Sequence, residues 1–191
     1  MTKRRRTRRR TGPKVWLAVI ALVAALFLIG DDNPKLRQAL EGVLQELVSG
    51  QPPATGQAGN AKVIDGDTLD VAGARVRLFG IDAPEAAQSC RRGGRNWACG
   101  AEAEDALVSV IAGRQVRCEE QDRDRYERSV AICWAGAENL NAWMVENGWA
   151  VAYRQYGGRT YDPEEVVARV ARRGVWSSEF VMPWDWRKGE R

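Results

Sequence analysis

The sequence predicts an α+β domain, mainly β, in which a five-stranded barrel of the OB type carries three packed helices and follows an N-terminal membrane-anchor helix. Three observations predict it. Five short segments are apolar or alternate apolar with polar residues, as strands do. Three longer segments repeat apolar residues at helical spacing, and one uninterrupted apolar run lies near the amino terminus. A few short strands with helices inserted and appended fit a small closed barrel.

The first 30 residues combine a basic tail, 1–14, with an apolar run that begins at residue 15 and ends before Gly30. At 1.5 Å per residue this run spans roughly 22 Å, which is short against a bilayer core of about 30 Å. No small-residue cleavage site follows it clearly. An uncleaved signal-anchor at 15–30 is therefore favoured, with a cleaved secretory signal and a buried helix as the alternatives. The basic tail would stay in the cytoplasm, which would leave the rest of the chain outside.

Residues 31–60 join this segment to the predicted domain at 61–191. Leucines and a valine at helical spacing predict a short amphipathic helix, and the Pro, Gly and small residues of 50–60 predict a flexible linker. Residues 60–191 carry 19 lysines and arginines against 21 aspartates and glutamates. The chain's net positive charge therefore comes from the tail, and bulk charge does not argue that the domain binds nucleic acid.

The strands of the barrel are predicted as a meander followed by a hairpin. The meander comprises 62–64, 68–72 and 74–81, and the hairpin comprises 114–120 and 128–134.

The helices are predicted within 99–113, 137–150 and 162–174. In the third, Asp162 has the side chain of an N-cap and precedes a proline, and Glu165 would close a capping box. This helix should therefore begin directly after Asp162.

The four cysteines all lie in the predicted domain and form an even set, which is typical of an oxidising compartment. The chain has no CxxC pair and no histidine, so a structural zinc site is disfavoured. Cys118 and Cys133 would face each other across the predicted hairpin, and Cys90 and Cys99 would close a loop rich in glycine and arginine. The favoured disulfides are therefore 90–99 and 118–133, one of three connectivities, with four free thiols as the alternative.

Two stretches, VIDGDTLDV at 63–71 and RVRLFGIDAPE at 75–85, concentrate the groups that could carry chemistry in a chain without histidine. Asp-Gly-Asp is by itself a common turn sequence. However, a strand pair that begins at Thr68 should return Asp82 to the end of the sheet beside Asp67. Two carboxylates, with carbonyl and water oxygens, make a site for a hard cation.

Two arginines and a glutamate lie close to this predicted site. Arg77 alternates with Val76 and Leu78, so it lies on the opposite face of its strand and could offer a planar fork to a phosphate. Arg128 begins the second strand of the hairpin, where a side chain is aimed more rigidly than from a loop. Glu85 follows a proline, which stiffens the chain as it leaves the strand. A surface salt bridge is the alternative for each arginine.

VIDGDT, RVRLFGIDAPE and DRYERSVA, in this order and at these separations, resemble the thermonuclease family, whose best-known member is staphylococcal nuclease. The similarity runs from about residue 62 to about residue 186 and so covers the whole predicted domain. The resemblance implies a calcium ion held by Asp67, Asp82 and the backbone carbonyl of Ala83.

The same resemblance implies catalytic and substrate-binding residues. Glu85 would be the general base, and Arg77 and Arg128 would bind the phosphate. Tyr153 and Tyr156 match the nucleotide-stacking tyrosines. The implied substrates are DNA and RNA, cut to leave 3′-phosphate ends.

The chain departs from the family pattern at two positions. Ala83 replaces a threonine, which removes a hydroxyl but keeps the carbonyl. Glu127 stands where many members have glycine before the second arginine. If that position requires a positive φ, glutamate strains the turn, and its carboxylate could also pair with Arg128.

The predicted function is therefore a monomeric, calcium-dependent nuclease that is anchored outside the cytoplasmic membrane and has no protein partner. Secretion after signal cleavage is the alternative location. Two ligating carboxylates predict weak calcium affinity, on the order of 10⁻⁴ to 10⁻³ M, and a carboxylate base predicts an alkaline rate optimum. The competing functions are a non-catalytic module of the same fold that binds nucleic acid or protein, and an envelope scaffold in which calcium is only structural.

Overall fold

A barrel of short strands forms the centre of the part of the chain that this computed structural model describes, residues 57–190. The strands are β1 (Gln57–Gly59), β2 (Ala61–Asp65), β3 (Thr68–Val71), β4 (Ala74–Leu78), β5 (Ile81–Asp82), β6 (Cys90–Arg92), β7 (Arg95–Trp97), β8 (Val116–Arg123), β9 (Ser129–Ala135), β10 (Glu138–Asn139) and β11 (Val151–Ala152).

The main sheet closes into a barrel because its two edge strands, β1 and β2, are consecutive in the chain. Its order is β1-β8-β9-β4-β3-β2, with β10 added beside β9. Only Asn60 separates β1, which pairs with β8, from β2, which pairs with β3. The β4–β9 pair is parallel and the others are antiparallel, so the sheet is mixed. This arrangement is consistent with the predicted OB-type barrel, and β1 begins ahead of the predicted start at residue 61.

The helices pack around this barrel. They are α1 (Cys99–Ile111), α2 (Leu140–Glu146), α3 (Arg154–Gly157), α4 (Asp162–Val170) and α5 (Pro183–Arg187), with a 3₁₀ turn at Gly174–Ser177. The three longest coincide with the predicted helices. α1 lies against β2, α2 lies against β9, and α4 packs on α2.

The start of α4 differs from the prediction. Asp162 is its first helical residue, Tyr161 is the N-cap, and no side chain caps the helix. Glu165 does not close a capping box, because its buried carboxylate pairs with Arg154, whose Nη2 lies 2.5 Å from Oε2. An ion pair to the neighbouring helix therefore replaces the predicted local bond.

The strand predicted at 74–81 is two strands. Gly80 interrupts it with φ +72°, and a Cβ at this glycine would lie 3.2 Å from the Cα of Gly157. The chain therefore leaves the barrel after β4, and β5 pairs with β11 in a separate two-stranded ladder. This break carries Asp82 out of the main sheet.

The core fills the barrel and the space under α1 and α2. Val76 and Leu78 are almost fully buried, whereas Arg77 points to the other face, as the strand alternation predicts. Leu107 and Met144 cover the barrel from the two helices.

Both predicted disulfides are present. Cys118 and Cys133 are directly opposed in the β8–β9 register, with Cα atoms 4.0 Å apart. Cys90 and Cys99 join the β6–β7 hairpin to the start of α1. All four cysteines are buried.

Among residues 57–190, none of the helices is long and apolar enough to cross a bilayer. The predicted tail at 1–14, the anchor at 15–30 and residues 31–56 of the predicted amphipathic segment and linker lie outside the described residues. The last part of the predicted flexible linker, which extends to residue 60, is instead strand β1, because it pairs with β8.

Candidate active site

The Asp-Gly-Asp turn between β2 and β3 positions the first carboxylate. The backbone N–H of Asp67 donates to Asp65 Oδ1 at 3.0 Å, which fixes the turn. Gly66 is required by close packing, because a Cβ there would lie 2.7 Å from the Cβ of Ala83 and 3.2 Å from that of Ala103. Asp67 is consequently fixed in the turn between β2 and β3, with only 4% of its surface exposed.

Arg77 joins the two aspartates. Thr68 and Arg77 are paired residues in the β3–β4 register. The guanidinium donates from Nη1 to Asp67 Oδ1 at 2.9 Å and from Nη2 to Asp82 Oδ1 at 2.7 Å. Asp67 and Asp82 therefore lie together, as the sequence predicts, but the cation that joins them is the guanidinium of Arg77.

Burial dominates the electrostatics of these two acids. Desolvation raises the pKa of Asp67 to about 7, against the lowering effect of Arg77, and the charges of Asp65 and Asp82 raise it further. Desolvation also raises the pKa of Asp82, although bonds from Arg187 and Arg77 oppose it. Both acids would thus be stabilised as carboxylates by a further nearby positive charge.

Glu85 lies on a loop that is held from two sides. Its backbone N–H donates to Gln88 Oε1 at 3.2 Å, and the Gln88 amide donates in turn to the carbonyl of Val181 at 2.7 Å. Gly100 at the start of α1 lies so close that a Cβ there would overlap the Glu85 carbonyl. The backbone of Glu85 is therefore fixed, while its side chain stays 40% exposed.

An arginine that the sequence analysis did not select completes this cluster. Arg187, the last residue of α5, donates from Nη1 to Glu85 Oε1 at 2.6 Å and to Asp82 Oδ1 at 3.0 Å. Its Nη2 donates to Asp82 Oδ2 at 2.8 Å. These contacts raise the pKa of Arg187 further above its ordinary value.

Arg128 stands immediately before β9 on another wall of the same cavity. Asp124 positions it twice, accepting from the backbone N–H at 3.0 Å and from Nε at 2.7 Å. Glu127 has φ 59°, which confirms that this position adopts a positive φ. Its exposed side chain makes no ion pair with Arg128 among the described contacts, since Asp124 takes that role.

Tyr153 and Tyr156 line the cavity beside this cluster. The Tyr153 ring stacks on Trp184 with centroids 5.2 Å apart and planes 7° from parallel. Tyr156 meets the edge of Tyr153 and keeps 62% of its surface exposed. The two rings differ, since Tyr153 is already stacked and Tyr156 is open to a further partner.

The cavity, about 590 Å³, gathers every side chain predicted for catalysis and nucleotide stacking. Arg77, Glu85, Arg128, Tyr153 and Tyr156 all contribute to its walls. Asp67 and Ala83 also reach it, whereas Asp82 lies behind Arg77 and Arg187 and is fully buried. The arrangement combines cations that can neutralise a phosphate with an accessible carboxylate that can accept a proton.

The oxygen atoms that could bind a metal ion at this site come mainly from two carboxylates, those of Asp67 and Asp82. Asp67 and Asp82 share a guanidinium, and the amide of Ala83 donates to Asp67 Oδ2 at 3.1 Å. Within residues 57–190, no three acidic, cysteine or histidine side chains are placed to hold a metal together. The oxygens of the two carboxylates are donors of the kind that a hard cation takes.

Sequence reasoning missed Arg187, Asp124 and Gln88. Asp124 carried a signal, because it lies four residues before Arg128 in a loop that must turn back. Arg187 carried none, since 105 residues separate it from Asp82.

Comparisons with known proteins agree with this geometry. A family model described as staphylococcal nuclease homologue matches residues 75–178. Protein ParB of Escherichia coli is 41% identical over 145 aligned residues, covering 66% of this chain and 76% of ParB. Micrococcal nuclease of Shigella flexneri is 35% identical over 148 residues, covering 68% of this chain and 79% of that protein.

The name of a third relative refers to succinoglycan biosynthesis and not to a nuclease. Succinoglycan biosynthesis protein ExoI of Rhizobium meliloti is 39% identical over 124 residues, covering 63% of this chain and 65% of that protein. Because the family model matches more than half of this chain, the chain belongs to the family of staphylococcal nuclease homologues.

Proposed function

We propose that this protein is a calcium-dependent phosphodiesterase that hydrolyses DNA, RNA or both, leaves 3′-phosphate ends, and works outside the cytoplasmic membrane. The observation that carries the proposal is the convergence of Arg77, Glu85 and Arg128 on one open cavity above the buried pair Asp67 and Asp82. The names of its nuclease relatives support the same reaction class.

Asp67, Asp82 and the carbonyl of Ala83 would hold the calcium ion. The ion would supply positive charge where negative charge builds on the phosphate in the transition state. Asp67 must be ionised to bind it, and burial holds the pKa of this acid at about 7. Calcium binding should therefore strengthen as the pH rises through neutrality, which supports an alkaline rate optimum.

The two arginines would bind and neutralise the phosphate. Arg77 is fixed on its strand by two carboxylates, to which both of its Nη atoms donate, so a phosphate would accept from its remaining N–H groups. Asp124 holds Arg128 through Nε, and this leaves the Nη groups of Arg128 for a phosphate oxygen.

Glu85 would accept the proton from the attacking water. Its backbone is fixed by Gln88 and by the start of α1, and its carboxylate reaches the cavity. Tyr156, with its exposed ring, would stack on a base of the substrate.

One contact favours a second candidate function. Glu85 Oε1 accepts a bond from Arg187 at 2.6 Å, so one of the two oxygens of the proposed base is already paired with a cation. A protein that kept this pair would be a non-catalytic nucleic-acid-binding module on the same fold.

The decisive experiment uses the full chain, purified oxidised, with single-stranded DNA in 5–10 mM calcium or in chelator, concentrations well above an expected Kd of about 10⁻³ M. Glu85→Gln should lower turnover by at least about 10²-fold and change DNA affinity little. Glu102→Gln, which removes an exposed acid on α1, should leave turnover unchanged. DNA binding without calcium-dependent cleavage would instead establish the binding module.

Three features support the proposed location outside the membrane independently of the activity. They are the basic tail, the apolar run and the two disulfides. Protease added to intact spheroplasts should digest the domain. A domain that is protected until the membrane is ruptured would contradict this topology.

A further inference from the structure

The carboxyl-terminal helix α5 places a cation directly on the proposed calcium ligands. Arg187 makes two parallel bonds to the carboxylate of Asp82 and a third bond to Glu85. Such a fork is the strongest pairing available to an arginine and a carboxylate. Arg187 thus bridges the proposed metal ligand and the proposed base.

This contact is built into the fold. Trp184 of α5 stacks on Tyr153, and the carbonyl of Val181, just before the helix, accepts a bond from Gln88 at 2.7 Å. Gln88 is fully buried and also holds the backbone of Glu85. The segment that carries Arg187 is therefore fastened to the loop that carries Glu85.

The acceptor capacity of Asp82 is nearly used. Its Oδ1 accepts from Arg77 Nη2 at 2.7 Å and from Arg187 Nη1 at 3.0 Å, and its Oδ2 accepts from Arg187 Nη2 at 2.8 Å. A carboxylate offers about four acceptor positions. One position remains, but Asp82 is fully buried behind Arg77 and Arg187. A divalent cation that takes Asp82 as a ligand must therefore displace an arginine to reach it.

Arg187 is the arginine that can leave. Arg77 is bonded to both aspartates and its side chain is 21% exposed. The Arg187 side chain is 36% exposed, so its guanidinium can turn to solvent from the last turn of a short helix. Displacement of Arg77 would instead leave its buried charge without either partner.

We propose that Arg187 is a resident counter-ion of the calcium site, which a divalent cation must displace from Asp82, and that it thereby sets the cation concentration at which the site fills. This inference rests on the calcium site of the proposed function. With Arg77 and Arg187 both in place, two positive charges face the three carboxylates of Asp67, Asp82 and Glu85, so the net attraction for a divalent ion is small. Release of Arg187 restores that attraction.

The test measures cation binding and thermal stability of the full chain, with no activity assay. Arg187→Gln should lower the Kd for calcium, read from melting temperature against calcium concentration, by at least about tenfold. In chelator the same variant should melt lower by roughly 3 °C or more, because the buried carboxylate of Asp82 loses one of its two arginine partners. Calcium should therefore raise its melting temperature more than that of the wild type.

Two further variants make the result specific. Lys188→Gln removes the same charge from the next residue, whose side chain pairs with Asp185, and should change neither the calcium Kd nor the melting temperature in chelator. Arg187→Lys keeps the charge but cannot bond both oxygens of Asp82, so its Kd should fall between those of the wild type and Arg187→Gln.

The outcomes separate this inference from the proposed function. Equal or weaker calcium binding by Arg187→Gln overturns the displacement and leaves the calcium site in place. Absence of calcium binding by both wild type and Arg187→Gln overturns both.

Discussion

At the scale of single residues, Glu127 shows how the second arginine is presented. Its φ of 59° lies in the left-handed region, where a side chain is strained and glycine is not. Its N–H donates to the carbonyl of Asp124 at 2.9 Å, which closes the tight turn before β9. The turn delivers Arg128 to Asp124 in spite of the strain, so the glutamate costs stability without breaking the arginine's support.

Replacement of Glu127 by glycine should therefore stabilise the protein, by up to about 1 kcal/mol in the free energy of unfolding, because the left-handed conformation no longer crowds a Cβ. Urea denaturation at neutral pH measures the change. Arg125→Gly in the same loop is the matched control, since Arg125 does not have a positive φ, and should lower stability through added backbone freedom. A loss of stability in both variants would contradict this account of Glu127.

At the scale of elements, a buried amide on α2 ties the helix to the chain that leads into the site. Asn141 donates from Nδ2 to the carbonyls of Phe79 and Ala131 at 3.0 and 3.1 Å. Its Oδ1 accepts from the backbone N–H of Cys133 at 3.0 Å. Phe79 lies in the break between β4 and β5, so this side chain replaces the ladder bonds that the break removes.

Asn141→Ala should lower the free energy of unfolding by at least about 2 kcal/mol, because it leaves buried backbone groups without partners. Asn147→Ala, at the end of the same helix, removes only a half-buried bond to the Trp143 carbonyl and should cost less than about 1 kcal/mol. Both values come from denaturant unfolding of oxidised protein. Similar losses in the two variants would show that the Asn141 bonds add little.

At the scale of the whole molecule, the buried acids couple stability to pH. Asp67 has a pKa of about 7 when folded and an ordinary value of 3.8 when unfolded. The folded protein therefore binds more protons than the unfolded chain between these values, and the stability that this provides is complete below pH 3.8 and lost as the pH rises to about 7. Asp124 acts in the opposite sense. Its pKa is lowered in the folded protein, so the stability that it provides is lost as the pH falls into the acidic range.

In chelator, the melting temperature should accordingly fall as the pH rises from about 5 to about 7, where the native state loses its extra proton. Asp67→Asn, which cannot ionise, should flatten this slope. Saturating calcium should flatten it as well, since a bound cation favours the carboxylate. A melting temperature of the wild type that is constant or rises over this interval would show that Asp67 is ionised throughout.

Much of the site could be predicted because its groups are close in sequence. Asp67, Arg77 and Asp82 lie within one hairpin and the short strand after it, so strand alternation and pairing place them together. The disulfide between Cys118 and Cys133 follows equally from opposed positions in one hairpin. The capping of the helix that begins at Asp162 could not be predicted, because Glu165 pairs with Arg154 of another helix.

The sequence by itself determined the mainly β fold with its three longest helices and the convergence of Asp67, Arg77 and Asp82, and it favoured the two disulfides that form, because each depends on local pattern. Only the tertiary structure decided what the carboxylates bind within the chain. Arg187 reaches Asp82 across 105 residues from a helix of five residues, which leaves no periodic signal. The break at Gly80 likewise depends on the approach of Gly157, a contact between chain segments that local sequence does not encode.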